Sequence, residues 1–312
     1  MSTCATSVAS PRVTAKVPVK ENVCAVVVTY FPKSDLLARL RRIRPQVAQV
    51  VVVDNGSSHE PDNCLSSIET EMDAHIVRNS VNLGIAAALN QGAYQAANMG
   101  YEWFLALDQD TLVAPDVIVA LSKAYEDYPL RDKLAVIASN YIDVISGHQL
   151  LPPDNTDRSW QQVPMAITSG CLFSLSAFGV VGSFREEFFM DSVDFDYCLR
   201  ASARGFKIIV ARGATTEHPI GAATLHKLPL KKHKVLTTNH PPIRRYYMTR
   251  NQVVLAREYL LSQTATTGEM LYAHLRAFLL MALFEKQVAR KLRFMAIGLW
   301  DGLFGNFHRK LT

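Results

Sequence analysis

Tyr101-Glu-Trp-Phe-Leu-Ala-Leu-Asp108-Gln109-Asp110 is an apolar run that stops at two carboxylates with one residue between them. A strand buried on both faces of a parallel sheet reads as such a run. Ligands of these sheets bind just beyond the carboxyl ends of the strands. Asp108 and Asp110 therefore stand where chemistry is expected, and the strand period of two puts them on one face. Like charges held that close repel unless a cation or a proton lies between them. Mg²⁺ takes one or two carboxylates plus substrate phosphates at about 2.0–2.1 Å per oxygen, so it suits the pair. A polar turn after a strand, where Asp is common, is the alternative reading.

Upstream, the pattern repeats. Val23 to Thr29 is a β-branched run, a buried first strand followed by a Tyr30-Phe31-Pro32 turn. Ser34 is placed as the cap of a helix through Leu36, Leu37 and Leu40, closed by Pro45. Gln49 to Val53 makes a second strand ending in Asp54, Asn55, Gly56, Ser57 and Ser58, and His75 to Arg78 a short third. Strands alternating with helices predict βαβ units in a mostly parallel sheet with right-handed crossovers. No G-x-G-x-x-G or G-x-x-x-x-G-K-[ST] is present, which disfavours a dinucleotide site and a P-loop. After the third strand comes Asn82-Leu-Gly84, then an Ala-rich helix carrying Asn90 and Gly92. Gly84 permits close backbone approach, and the helix start can favour an anion. Plain packing of the Ala-rich helix explains the same residues.

Downstream, Leu134 to Asn140 is a further strand, and Leu151 to Pro164 reads as a surface loop. Thr168-Ser169-Gly170-Cys171 is rich in small residues, as where backbone approaches a ligand. A second acidic cluster, Asp191, Asp194 and Asp196, leads into a helix carrying Arg200 and ending at Gly205. At helical spacing Asp191 and Asp194 are neighbours, while acids at a helix start also serve the helix itself. Phe206 to Val210 is the last strand, followed by Thr216-Glu217-His218-Pro219.

The chain's 312 residues, 49% hydrophobic and 20% charged, suffice for a large core. The net charge of +5 gathers toward the C-terminus, at Lys231, Lys232, Arg244, Arg245, Arg250, Lys286, Arg290 and Arg293 among others. Five scattered cysteines without a C-x-x-C predict free thiols in a reducing, cytoplasmic compartment. Residues 1–22 read as a mobile tail without a signal-peptide core, 23–225 as the main domain, and 226–312 as a basic helical extension. No apolar run reaches the ~18 residues of a membrane span. The extension mixes cations with Phe294, Ile297 and Trp300, which fits either an interfacial helix on a membrane or helices packed on the domain.

Together these motifs resemble the family-2 glycosyltransferases of the GT-A fold, and within them the bacterial rhamnosyltransferases, rhamnolipid-forming ones included. The ordered set runs from Thr29-Tyr30 through Asp54-Asn55, Asn82-x-Gly84, Asn90-x-Gly92, Asp108-Gln109-Asp110, Ser169-Gly170-Cys171, Asp191-x-Val-Asp194-x-Asp196 and Arg200 to His218. It extends to Asn239-His240-x-Pro-x-Arg244-Arg245-Tyr246-Tyr247-x-x-Arg250-Asn251 and Gly298-Leu-Trp300-Asp301-Gly302. The resemblance implies inverting transfer from a nucleotide sugar, dTDP-β-L-rhamnose, to a glycolipid or lipid-linked saccharide, with peripheral contact to the inner membrane. It puts Thr29, Tyr30, Asp54, Asn55, Asn82, Gly84, Asn90, Gln109 and Arg200 at the donor, and Mg²⁺ or Mn²⁺ on Asp108, Asp110 and His218. Ser169, Gly170 and Cys171 are placed at the acceptor. Asp194 is the expected base, with Asp191 in reserve, because Val193 stands where the family often has Glu.

Two rivals differ in class. A sugar nucleotidyltransferase shares sheet and metal but wants a Gly- and Arg/Lys-rich signature after the first strand, where this chain has Thr29-Tyr-Phe-Pro32. A non-catalytic basic protein for membranes or nucleic acid is opposed by the acidic clusters, and no nucleic-acid module pattern is present.

Overall fold

A computed structural model describes residues 12–309 apart from 14, 58–62, 146, 154–155, 219–223 and 228–233. Ser58, Pro219, Lys231, Lys232 and most of the expected N-terminal tail lie outside the described residues. The first half runs β1 (Val23–Thr29), α1 (Leu36–Ile43), β2 (Gln49–Asp54), α2 (Asn63–Met72), β3 (His75–Arg78), α3 (Ile85–Asn98) and β4 (Trp103–Asp108). Next come β5 (Leu112–Val113), α4 (Val117–Asp127), β6 (Leu134–Asp143), β7 (Trp160–Gln162), β8 (Cys171–Ser174), α5 (Leu175–Val181), α6 (Val193–Ala203) and β9 (Lys207–His218). A hairpin of β10 (Thr224–Lys227) and β11 (Lys234–Thr237) precedes α7 (Pro242–Tyr259), α8 (Thr264–Phe284) and α9 (Val288–Phe304).

One sheet is ordered β3-β2-β1-β4-β8-β6-β9-β5, with β7 also on β9. The first four strands are parallel, as their β-branched runs predict. The second half is mixed, because β8 enters antiparallel between β4 and β6. Alternation along β1 sends Cys24, Val26 and Val28 into one core with α3, α5 and α6. Val23, Ala25 and Val27 enter the other, with α1, α2 and α4. The result is a sheet between two helical layers, with the ends of β1, β2 and β4 at one edge.

Several expectations need correction. The stretch 151–164 holds strand β7, which the Pro- and Asp-rich composition hid, and the extension expected to be helical from 226 opens with the strands β10 and β11. The last strand is longer than Phe206 to Val210. Its register against β6 jumps from Ser139↔Ala211 to Asn140↔Thr215, and this bulge lets β9 continue to His218 beside β5. Residues 12–13 and 15–22 are not a loose tail: Val13 is buried, and Trp103 Nε1 and the Tyr125 hydroxyl donate to Lys16 O and Ala15 O, each at 2.9 Å. Among the described residues no disulfide forms.

The C-terminal helices close on one another around buried charge. Glu285 takes Arg245 at 2.8 Å and Lys291 at 2.6 Å, all three buried. Asp301 accepts from the Tyr246 hydroxyl at 2.9 Å. Gly298 and Gly302 of α9 lie against the α7 backbone: a Cβ on Gly298 would sit 2.5 Å from Tyr246 O, and one on Gly302 2.7 Å from Arg250 O. The two helices therefore meet backbone to backbone. Gly298→Ala is expected to wedge them apart, costing about 1–3 kcal/mol and lowering the melting midpoint by several degrees. An unchanged midpoint would mean that α9 shifts freely on α7.

Candidate active site

The strand ends open into a cleft of about 720 Å³, lined among others by Thr29, Tyr30, Asn55, Asn82, Asp108, Asp110, Asp191, Asp194, His218 and Arg244. Its floor follows from the parallel strands. Thr29 and Asp54 are register partners, and Thr29 Oγ1 donates to Asp54 Oδ1 at 3.2 Å. Ser57 N holds the other carboxylate oxygen at 3.1 Å, so Asp54 is buried and committed to shaping the loop. Asn55 stitches β2 to the loop after β3, donating to Asn82 Oδ1 at 3.0 Å and Gly84 O at 3.1 Å and accepting from Leu83 N. Gln109 grips the Tyr30 backbone at both ends, accepting from its N at 2.9 Å and donating to its O at 3.2 Å.

Asp110 lies in the turn after β4 rather than on the strand, so the shared-face argument does not apply to it. The turn and the long β9 bring the two carboxylates together instead. His218 Nε2 lies 3.7 Å from Asp108 Oδ2, and its Nδ1 3.3 Å from Asp110 Oδ1. Thr111 Oγ1 holds Nδ1 at 3.1 Å, and Asp108 N donates to Ser169 Oγ at 3.0 Å. Ligand atoms of Asp108, Asp110 and His218 all lie within 4.8 Å of one another.

Electrostatics at the trio follow from its crowding. Protein surrounds Asp108 although 38% of its side chain faces the cleft, and burial pushes its carboxyl upward, with Asp110 adding and His218 opposing. Burial acts on Asp110 likewise, but the hydrogen bond and charge of His218 outweigh it and hold Asp110 below the usual range. His218 resists protonation through burial, yet Asp110 and Asp108 overcome that and raise its pKa. A positive charge thus belongs between these carboxylates. Two carboxylates and an imidazole form a donor set that Mn²⁺ accepts, and Mg²⁺ through the carboxylates.

Across the cleft, the loop before α6 is held in an unusual shape. Phe189, Asp191 and Ser192 all have φ near +60°, a conformation that non-glycine residues keep only under tight surroundings. The constraint comes from α7. Asn251, fully buried, donates to the carbonyls of Phe188, Met190 and Asp191 at 3.1, 2.8 and 2.8 Å. Arg250 donates to Glu187 O and Phe188 O at 2.7 and 3.1 Å. Asp191 precedes α6 and is not one helical turn from Asp194. Arg244 clasps it through both Nε and Nη2, the shortest contact being 2.9 Å. Asp194, in the first turn of α6, accepts only backbone N–H groups, from Thr168 at 3.2 Å and Phe195 at 2.9 Å. Burial dominates there and pushes its pKa up to about 6. His240, also on the cleft wall, is pressed down to about 3 by burial and by Arg244 and Arg245, so it is neutral at physiological pH.

Four expected site residues fall elsewhere. Asn90 is buried between α3 and the loop before Glu186, donating to Phe184 O at 2.9 Å and accepting from Phe184 N at 2.8 Å. Arg200 spends its guanidinium on Asp196 at 2.8 Å and on the carbonyls of Val181, Gly182 and Ser183. Gly170 donates to Ala106 O, and Cys171 is a buried residue of β8. None of the four lines the cleft, and neither does the buried Asp54, which was also expected at the donor; Ser169 does. The start of α3 is also less open to an anion than its sequence implies. Phe189 O takes Ile85 N at 2.7 Å, and Asn82 Oδ1 takes Gly84 N at 2.9 Å. Gly84 itself, at φ +89°, leaves no room for a Cβ, which would meet Phe189 O at 2.6 Å. Sequence reasoning did not place Arg244, His240 or Tyr141 in the site. For the first two the signal lay in the Asn239–Asn251 block, read only as a mark of resemblance.

Comparisons with known proteins agree with this geometry. Residues 24–178 match the family described as glycosyl transferase family 2. The dTDP-rhamnosyl transferase RfbF of Shigella flexneri is 28% identical over 301 residues, covering 91% of this chain and 96% of that protein. S. aureus TarS 1-349, solved with UDP-GlcNAc, superposes with a TM-score of 0.60 at 14% identity, over 90% of this chain and 80% of that one. GalNAc-T7, solved with UDP, GalNAc and Mn²⁺, gives a TM-score of 0.57 at 13% identity over 76% of this chain. The match spans about half of that structure, 47%. The family match and the RfbF homologue define a glycosyltransferase, and its fold is similar to the GT-A architecture. Residues 24–178 carry the family-2 glycosyltransferase domain, and nearly the whole chain is similar to RfbF.

Proposed function

We propose that the enzyme transfers L-rhamnose, with inversion, from dTDP-β-L-rhamnose to a hydroxyl of a glycolipid or lipid-linked saccharide at the cytoplasmic face of the inner membrane. The observation that carries the donor is the near end-to-end likeness to a dTDP-rhamnosyl transferase. Thr29, Tyr30, Asn55 and Asn82 border the nucleoside, with Asp54 and Gln109 fixing their loops. Asp108, Asp110 and His218 would hold Mg²⁺ or Mn²⁺, which when bound offsets charge on the leaving diphosphate.

Inversion by one displacement needs one base, within about 2.6–3.2 Å of the acceptor hydroxyl. Asp194 takes that role: among the described residues no cation clasps its carboxylate, and its raised pKa favours accepting a proton. Asp191, neutralised by Arg244, orders the wall instead. Ser169 backs Asp108 rather than meeting the acceptor. No nucleophilic carboxylate pair is required.

Incubation with dTDP-rhamnose, Mn²⁺ and a rhamnosyl-acceptor glycolipid should release dTDP and yield an inverted product. A second reading keeps the chemistry and changes the donor, favoured by the likeness to the UDP-GlcNAc complex of TarS. Release of UDP from UDP-GlcNAc, with dTDP-rhamnose left intact, would select it.

A further inference from the structure

α8 and α9 each carry an exposed apolar stripe. On α8, Tyr272, Leu275, Leu279 and Leu283 are exposed, spaced three and four residues apart and so aligned on one side of the helix. On α9, Leu299, Trp300, Leu303 and Phe304 form a second stripe, Trp300 being 60% and Phe304 67% exposed. Neither stripe is needed to hold the helices together, since α9 meets α7 through Gly298 and Gly302 on its opposite side.

Charge decides what covers this face. From Met270 to Arg309 the sequence has only two acids, Glu285 and Asp301. Both are buried and consumed internally, by Arg245 and Lys291 and by Tyr246 and Arg309. Arg276, Lys286, Arg290 and Arg293 are left exposed among the apolar side chains. A second copy related by a two-fold axis would set these four cations against themselves, with Glu269 on α8 the one exposed acid of the two helices to answer them. Among the described residues no helix is long and apolar enough to cross a membrane. Helices lying in the plane of an anionic bilayer satisfy both features, their apolar side in the acyl boundary and their cations at the headgroups.

We infer that the α8–α9 face is the surface by which the enzyme seats on an anionic lipid bilayer. α7 meets α9 at Gly298 and Gly302 and holds Asp191 through Arg244, so it links the seat's helices to the cleft wall. The inference deepens the membrane-side reading above, and flotation without any sugar donor tests it apart from the transfer chemistry.

The full chain is floated with phosphatidylcholine vesicles containing or lacking phosphatidylglycerol. Flotation is expected only with the anionic lipid, accompanied by a blue shift in tryptophan emission that disappears in Trp300→Phe. Leu279→Asp with Leu283→Asp, and separately Arg290→Glu with Arg293→Glu, should each lower partitioning roughly tenfold or more. All four side chains are exposed, so melting should stay as in the wild type. Wild-type protein that stays at the bottom with both vesicles would overturn the inference. So would equal flotation of the charge-reversed variant, or a dimer in light scattering that Leu279→Asp splits.

Discussion

Asp108→Ala and Asp110→Ala are each expected to slow transfer at least about 10³-fold, since several kcal/mol of leaving-group stabilisation depend on the ion they would hold. Affinity for Mn²⁺ with dTDP, read by calorimetry, should fall in step. The two variants should differ in one respect. Removing Asp110 takes away the hydrogen bond that raises the His218 pKa, whereas removing Asp108 takes away only a charge. The His218 pKa, followed by NMR without metal, should therefore drop further in Asp110→Ala. Undiminished turnover of either variant in excess chelator would exclude a metal role for the trio.

Asp194→Asn is expected to leave donor affinity near normal and lower the chemical rate roughly 10²–10⁴-fold. The same change should raise the melting midpoint at neutral pH. Burial lifts the folded-state pKa to about 6, above the ~3.9 of an unfolded aspartate. Between those values the folded chain binds more protons than the unfolded one. Stability is therefore lost as pH rises through this window, and the asparagine avoids that loss. Activity of the wild type should rise with pH toward about 6, where Asp194 becomes the carboxylate. Slower chemistry with higher stability marks a base kept in a poor solvent for charge; a merely structural carboxylate would lose stability when replaced. If Asp191→Asn shows this pattern instead, the base is Asp191.

The parallel half of the sheet was legible because its strands are unbroken β-branched or aromatic runs ending in polar groups, as Val50 to Asp54 shows. The mixed half was not. Cys171 to Ser174 is short and buried on both sides, so nothing in its pattern distinguishes antiparallel entry. The acidic pair was found from the strand end, although Asp110 reaches its place through a turn and through β9. That delivery depends on a bulge, which a linear pattern does not announce. Asn90 and Arg200 misled because polar residues at motif spacing look alike whether they face a ligand or tie loops; both tie loops. Arg244 escaped because its partner, Asp191, lies 53 residues away in sequence. The Phe188–Ser192 loop depends equally on distant support, from Asn251.

On the proposed function, Asp108, Asp110 and His218 hold the cation that accompanies the donor diphosphate. A crystal grown with thymidine diphosphate and Mn²⁺, with anomalous scattering measured at the manganese edge, tests it directly. One anomalous peak is expected within coordination distance of these three side chains, touching the diphosphate. A peak on the diphosphate but away from them, or a diphosphate bound outside this cleft, would contradict it.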